Sequence, residues 1–222
     1  MFIDYCPSCR LPGNPHRLCP SCSRQALEES FDSFMTRCPS CYYPLVSSIY
    51  VCPYCTMKIY AKYDYSASFV RHLVIRWKMD GDRRLSSPVS SMFSDILSEL
   101  DLTPDKAVLA IVPSSAKGKR KRGWDHMSDV LSYLCCKKGY KTTDILVRTK
   151  DKSVQQKTLN RAERFEAALS AFRVKKGFKR PELPVVILDD ITTTGASLHA
   201  CKSVLEKEGI EVWGAVTLLQ EL

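Results

Sequence analysis

The chain predicts an α/β domain on a mainly parallel sheet with helices on both faces, preceded by a small cysteine-rich module. Three observations carry this. From residue 59 onward, apolar strand-like runs alternate with helix-like segments, the pattern of parallel strands joined by crossover helices. The run VVILDDITTTGAS, residues 185–197, sets four apolar residues ahead of an acidic pair and a hydroxyl-rich loop with one glycine. Finally, eight cysteines in four Cys-x-x-Cys pairs all fall within the first 55 residues. The division is expected at 1–58 and 59–222.

Taken in order, residues 59–65 are expected to form a strand joining the two parts. Ser66 then caps a helix carrying Phe69, Leu73 and Trp77 on one face, and Gly81 and Asp82 stop it. A helix over 89–100 precedes a strand over 107–112, and a helix over 124–137 precedes a strand over 144–147. Another helix is expected over 159–169. The motif strand follows, then a helix over 196–208, a turn at Gly209 and a last strand over 212–219.

The motif has a physical meaning of its own. Val185 to Leu188 have the apolar, β-branched character of a central strand buried on both faces. Open α/β sheets bind ligands in the crevice beyond the carboxyl ends of such strands. Thr192, Thr193, Thr194 and Ser197 offer hydroxyls, Gly195 lets the backbone come close, and the free amides opening the next helix, from Ala196 on, favour an anion. Asp189 and Asp190 would repel a phosphate, so they suit vicinal sugar hydroxyls or a divalent cation held through water. The implied ligand is a sugar phosphate. No G-K-[ST] follows the glycine, which excludes a Walker A nucleotide loop.

The acidic pair followed by T-T-G-A-S resembles the phosphoribosyl pyrophosphate (PRPP) motif of type I phosphoribosyltransferases. The resemblance implies that Asp189 and Asp190 contact the ribose hydroxyls and act in catalysis, while 192–197 cradle the 5'-phosphate.

In the N-terminal part, Cys6, Cys9, Cys19, Cys22, Cys38, Cys41, Cys52 and Cys55 form a tandem arrangement suited to two tetrahedral zinc sites. Chain order assigns Cys6, Cys9, Cys19 and Cys22 to one ion and Cys38, Cys41, Cys52 and Cys55 to the other; spacing alone also allows interleaved pairs. Disulfides are the competing use, but no secretory signal is read and the remainder resembles a cytosolic enzyme, which favours zinc. Four sulfurs leave no open position, so both sites are expected to be structural. Cys135, Cys136 and Cys201 are expected to be ordinary buried thiols.

Charge is concentrated in the second part. Residues 1–60 hold five Lys or Arg and four Asp or Glu, leaving 28 and 20 of the chain's 33 and 24 for the rest. The densest basic runs are 117–122 (KGKRKR) and 173–180 (RVKKGFKR), which suit either a solvated face or a polyanion. No apolar stretch approaches bilayer length, so no membrane insertion and a cytoplasmic location are expected.

Further residues extend the resemblance to the ComF family, which joins zinc ribbons to a phosphoribosyltransferase-like domain. They are the knuckles, K-x-x-G-D at 78–82, K-R-G ending at Gly123, and L-V-R-T-K followed by Q-Q-x-x-L-x-R-x-E-R. Arg148, Lys150, Gln156, Arg161 and Arg164 match that last pattern and are candidate pyrophosphate or acceptor contacts. The usual P-V-P-x-H-P loop is replaced here by Pro113, Ser114, Ser115, Ala116 and Lys117, of which Ser114, Ser115 and Lys117 still suit pyrophosphate. The usual Phe-Asn-Gln after Arg-Gly becomes Trp124, Asp125 and His126, with His126 expected to be structural. The resemblance implies PRPP binding with Mg²⁺, a possible pentosyl transfer, a link to natural competence and DNA uptake, and partners such as a helicase. A non-catalytic single-stranded DNA-binding or adaptor role is the alternative.

Overall fold

In the computed structural model, residues 4–33, 36–37, 44–45, 57–149 and 170–221 are described. The sheet is built outward from β8 (Val185–Thr192), whose neighbours are β4 (Val108–Ile111) and β9 (Val212–Gln220). Beyond β9 lies β3 (Ile59–Asp64), and beyond β4 lies the short β5 (Lys141–Thr142), giving the order β3-β9-β8-β4-β5. All four pairings are parallel, as the alternating pattern predicts. The order changes direction between β4 and β8, because the chain runs outward from β4 to β5 and later outward from β8 to β9. Their carboxyl ends therefore flank the switch point at which such sheets bind ligands.

Helices cover both faces. Val186 and Leu188 of β8 join Leu109, Val216 and Leu218 in a core closed by α2 (Ser68–Lys78), α3 (Ser86–Glu99) and α5 (His126–Lys138), with Trp77, Phe93 and Leu134 fully buried. Val185 and Ile187 face the other way, toward Leu198, Cys201 and Leu205 of α6 (Ala196–Lys207). Complete burial of these four strand residues contributes about 1.5–3 kcal/mol each, which fixes the register and hence the position of everything after Leu188.

The sequence reading and the structure differ in four places. The helix after β3 begins at Ser68, not at a Ser66 cap; Ser66 instead donates its amide to Asp64 Oδ1 at 2.7 Å in a turn. The strand expected over 144–147 leaves the sheet: β6 (Leu146–Arg148) pairs antiparallel with β7 (Phe172–Val174) as a separate ribbon, and β5 takes the sheet edge. The basic run after Ser115 is helical, forming α4 (Ala116–Arg122), which Gly123 closes at φ 74°. Cys135 and Cys136 are exposed, because the inward face of α5 is set by Met127, Val130 and Leu134; of the three cysteines outside the Cys-x-x-Cys pairs, Cys201 alone is buried. The helix expected over 159–169 lies outside the described residues.

The N-terminal module contributes α1 (Pro20–Glu28) and the small antiparallel pair β1 (Thr36–Arg37) and β2 (Pro44–Leu45). It is joined to the sheet domain by a bridge between Ser30 and Tyr63 and by a charged cluster in which Lys62 reaches Asp32 at 3.1 Å and Glu99 at 2.6 Å. No helix among the described residues is long and apolar enough to cross a membrane.

Candidate sugar-phosphate site and cysteine cluster

Strand β8 runs four residues past the apolar stretch, and this decides the geometry of the acidic pair. Its pairing with β4 ends at Leu188 opposite Ile111, whereas its pairing with β9 continues through Asp189, Ile191 and Thr192. The last part of β8 is thus open toward β4, beside the segment that begins at Pro113. Because Asp189 and Asp190 are consecutive in a strand, their side chains point to opposite faces of the sheet.

Asp190 points into the α2–α5 face and is 2% exposed. Lys78, at the end of α2, donates to Oδ1 at 3.0 Å and lies 2.8 Å from Oδ2. His126, the first residue of α5, places Nε2 2.8 Å from Oδ2, and the amide of Ile191 donates to Oδ1 at 2.8 Å. Burial pushes this carboxyl up, but the His126 hydrogen bond and the Lys78 charge overcome it and hold Asp190 well below the usual carboxylate range. The His126 ring packs edge-on against Trp77 and Trp124, at 4.8 and 6.1 Å between centroids, and its Nδ1 has no hydrogen-bond partner among the described residues.

Asp189 lies on the α6 side, partly accessible, with Oδ1 accepting the amide of Asp190 at 3.0 Å. Burial, and then the negative charge of Asp190, push its carboxyl well above the usual range. One of the two carboxylates is therefore an ion-paired anion, and the other is only partly exposed, with its carboxyl held above the usual range.

Beyond the strand, Thr192 is buried, Thr193 and Thr194 are exposed, and Ala196 and Ser197 begin α6. Gly195 carries φ 70°, in the left-handed region; a Cβ there would sit 3.2 Å from Ile59 Cδ1 and 3.5 Å from His199 Cδ2. The left-handed backbone is what favours glycine here, while the Ile59 methyl would have to give by only a few tenths of an ångström. The result is a turn just beyond the end of β8 with Thr193 and Thr194 exposed and the N-terminus of a twelve-residue helix following, where Thr194 Oγ1 accepts the amide of Ala196 at 3.4 Å.

Across the switch point, Ser115 caps α4 by accepting the Gly118 amide at 3.0 Å, and Ser114 donates to Asp125 Oδ1 at 3.1 Å. Both hydroxyls are engaged locally, while the backbone of Lys117 lies in the first turn of α4. A cleft of about 470 Å³ lies beside them, lined by Ser114, Lys119, Asp125, Arg148, Thr149 and Lys175. Of the sequence-predicted contacts it gathers Ser114 and Arg148. Lys150, Gln156, Arg161 and Arg164 lie outside the described residues.

Sequence reasoning missed three side chains. Lys78 was visible as the first residue of K-x-x-G-D, but nothing local joins it to a strand 112 residues away. Lys119 and Lys175 stood in basic runs without a signal that separated them from solvated neighbours. His126, expected to be structural, holds an acidic residue of the motif.

In the N-terminal module, the Sγ atoms of Cys6, Cys9, Cys19 and Cys22 lie within 4.8 Å of one another, grouped as chain order predicts. A zinc ion bonded to four thiolates at about 2.3 Å needs sulfurs roughly 3.8 Å apart, and Cys9 and Cys19 stand at 3.6 Å. The amide of Cys19 donates to Cys6 Sγ at 3.3 Å, the kind of bond that favours thiolate. Burial raises the Cys6 thiol and the amides around it lower it, to about 7 on balance. The donor set fits a closed, structural zinc site. Cys38, Cys41, Cys52 and Cys55 lie outside the described residues.

No family model matches the chain. Among curated proteins, the chain is similar to the competence protein ComFC of Streptococcus pneumoniae, at 28% identity over 134 residues. The match covers 60% of this chain and spans 56% of that relative's length. It supports the resemblance read from the motifs, at a distance.

Proposed function

We propose that this chain, a distant member of the ComF family, binds PRPP or a closely related phosphorylated ribose at the carboxyl end of β8. The observation that carries the reading is the juxtaposition of Asp189 with the turn from Thr192 to Ser197 at the switch point of a parallel sheet. Thr193, Thr194, Ser197 and the opening amides of α6 would hold the 5'-phosphate, with Gly195 giving the backbone its approach. Asp189, being accessible, would meet the ribose hydroxyls. Asp190 would act from behind, its charge fixed by Lys78 and His126. Ser114, Ser115, Lys117 and Arg148 remain candidates for the pyrophosphate end, joined by Lys119, which lines the adjacent cleft.

Asp189 would hold Mg²⁺ through water, and the ion would supply charge neutralisation for a departing pyrophosphate. In a pentosyl transfer the bond from the ribose anomeric carbon to pyrophosphate would break, pyrophosphate leaving with the electron pair, as a nucleophilic atom of the acceptor bonds that carbon from the opposite face. The cysteine clusters, Cys6 to Cys22 here and Cys38 to Cys55 by analogy of spacing, would hold two structural zinc ions. The ComFC similarity supports a role in competence. The cytoplasmic location, the use of DNA and DNA-processing partners such as a helicase are proposed on the family resemblance, which implies them.

A second reading is favoured by the cationic surface. Arg120 on α4 is exposed, and Arg83, whose side chain is 67% exposed, lies 5.2 Å from the Trp124 ring centroid. Guanidinium groups beside an aromatic ring suit a single-stranded phosphate backbone.

Calorimetric titration of the zinc-loaded protein with PRPP, with and without Mg²⁺, separates the two. Mg²⁺-dependent binding that Asp189→Asn abolishes is the expected result. No PRPP binding, together with oligonucleotide binding that weakens steeply with salt, would replace the first reading by the second.

A further inference from the structure

Helix α2 is held at both ends by the N-terminal module. At its start, Glu29 accepts the amides of Phe69 and Val70 at 2.9 and 3.0 Å, so the cap comes from the module and not from the helix's own sequence. At its end, Arg76 donates to the carbonyl oxygens of Ser8 at 3.0 Å and Pro7 at 3.3 Å, and to Asp82 Oδ2 at 2.8 Å. Pro7 and Ser8 are the two residues inside the Cys6–Cys9 knuckle. Arg76 thus grips the backbone of the turn whose shape two metal ligands would set. Arg10, next to Cys9, also approaches Asp82, at 3.6 Å.

Two residues beyond Arg76, Lys78 reaches Asp190. Positions two apart on a helix lie about 200° around its axis, so one grip faces the module and the other faces the sheet. Between them Trp77 is fully buried against Trp124 and His126. A close-packed ring of that size transmits displacement instead of absorbing it.

We propose that the last turn of α2 is a lever through which metal loading of the Cys6–Cys22 cluster sets the geometry of the Asp190 end of the sugar-phosphate site, with Arg76 as its positioning residue. The inference rests on the reading of 189–197 as that site. Loading would fix the Pro7–Ser8 turn, Arg76 would hold the helix end against it, and Lys78 would hold Asp190 and the strand end leading to the phosphate turn. Coupling of binding equilibria is reciprocal. Whatever factor zinc contributes to PRPP affinity, PRPP must return to zinc retention.

The test uses the full chain as wild type, Arg76→Gln, Arg76→Lys and Glu29→Gln. Hydrogen exchange is followed in peptides covering 189–197 and 108–111, and the equilibrium partition of zinc between the protein and a chromophoric chelator is measured with and without PRPP and Mg²⁺. In zinc-loaded Arg76→Gln, exchange should rise several-fold over 189–197, while 108–111 stays protected and zinc stoichiometry is unchanged. Arg76→Lys, which keeps the charge on Asp82 but cannot fork two carbonyls, should fall between. Glu29→Gln should lower thermal stability yet leave the effect of zinc removal on 189–197 intact. PRPP should raise zinc affinity, read as the equilibrium share of zinc retained against the chelator, about fivefold or more in wild type and not in Arg76→Gln. Wild-type exchange over 189–197 in zinc-loaded Arg76→Gln overturns the lever. Absence of any PRPP binding overturns the ligand assignment instead, and the exchange arm still decides the lever.

Discussion

Lys78 and Asp190, 112 residues apart in the chain, meet with the ammonium 3.0 and 2.8 Å from the two carboxylate oxygens. The carboxylate is almost fully buried, so its charge is tolerated only because Lys78, His126 and a backbone amide face it. Breaking one side of such a pair is expected to cost about 3–5 kcal/mol, and removing both sides much less than twice that. Lys78→Met and Asp190→Asn should each lower the denaturation midpoint by a comparable amount. The double variant should recover part of the loss, and simple additivity in urea titrations would mean the pair is not coupled.

The two aspartates should respond to pH with opposite sign. Asp189 has a raised carboxyl, so it favours the folded state only while protonated; its contribution is fully present below the unfolded value of about 3.9 and is lost as pH rises toward the folded value. Asp190 is depressed, so its contribution is present above about 3.9 and lost as pH falls through the folded value. Asp189→Asn should therefore be more stable than wild type near pH 8, with the difference shrinking to nothing below about pH 4. Melting temperatures across that range check this; a constant difference at every pH would contradict the raised carboxyl.

The turn at Gly195 should tolerate no side chain cheaply. Gly195→Ala places a β-carbon in a left-handed backbone at a cost of about 1–2 kcal/mol, and sets it 3.2 Å from Ile59 Cδ1. We expect a lower melting temperature and weaker binding of phosphorylated ribose in the same variant, read by scanning calorimetry and isothermal titration. Loss of stability with unchanged affinity would separate the turn from the ligand.

Metal content tests the cysteine grouping directly. Elemental analysis should find two zinc ions in wild type and one in Cys9→Ser, because Cys9 belongs to a cluster of four whose sulfurs already lie together. Cys38→Ser should likewise leave one ion. Two ions retained in Cys9→Ser would refute the assignment of the first cluster.

Local signals foretold most of this architecture. The apolar periodicity of β8 and β9, the helix face of Leu73 and Trp77, and the first cysteine grouping depend on neighbours in sequence, where pattern and spacing are informative. The orientation of the acidic pair was not legible, because it depends on whether β8 continues past Leu188, and that is decided by hydrogen bonds from β9. Nor was the role of His126, which is fixed by the distant strand it touches. The departure of β6 from the sheet likewise comes from Ile145, Leu146 and Phe172 packing against the α6 face, a tertiary preference that no local alternation reports.

The position of β9 has a consequence for how the protein is made. It is the latest strand in chain order, yet it sits between β8 and β3, contributing the pairing on which both depend. During synthesis the knuckle of Cys6 to Cys22 can gather its sulfurs as soon as a short stretch has left the ribosome. The first strand of the sheet, by contrast, must wait for the final one across more than a hundred intervening residues. Such non-local closure makes assembly slow and leaves apolar strands unpaired in the interval. A nascent chain stalled before Val212 should remain protease-sensitive throughout its sheet while the first knuckle is already formed.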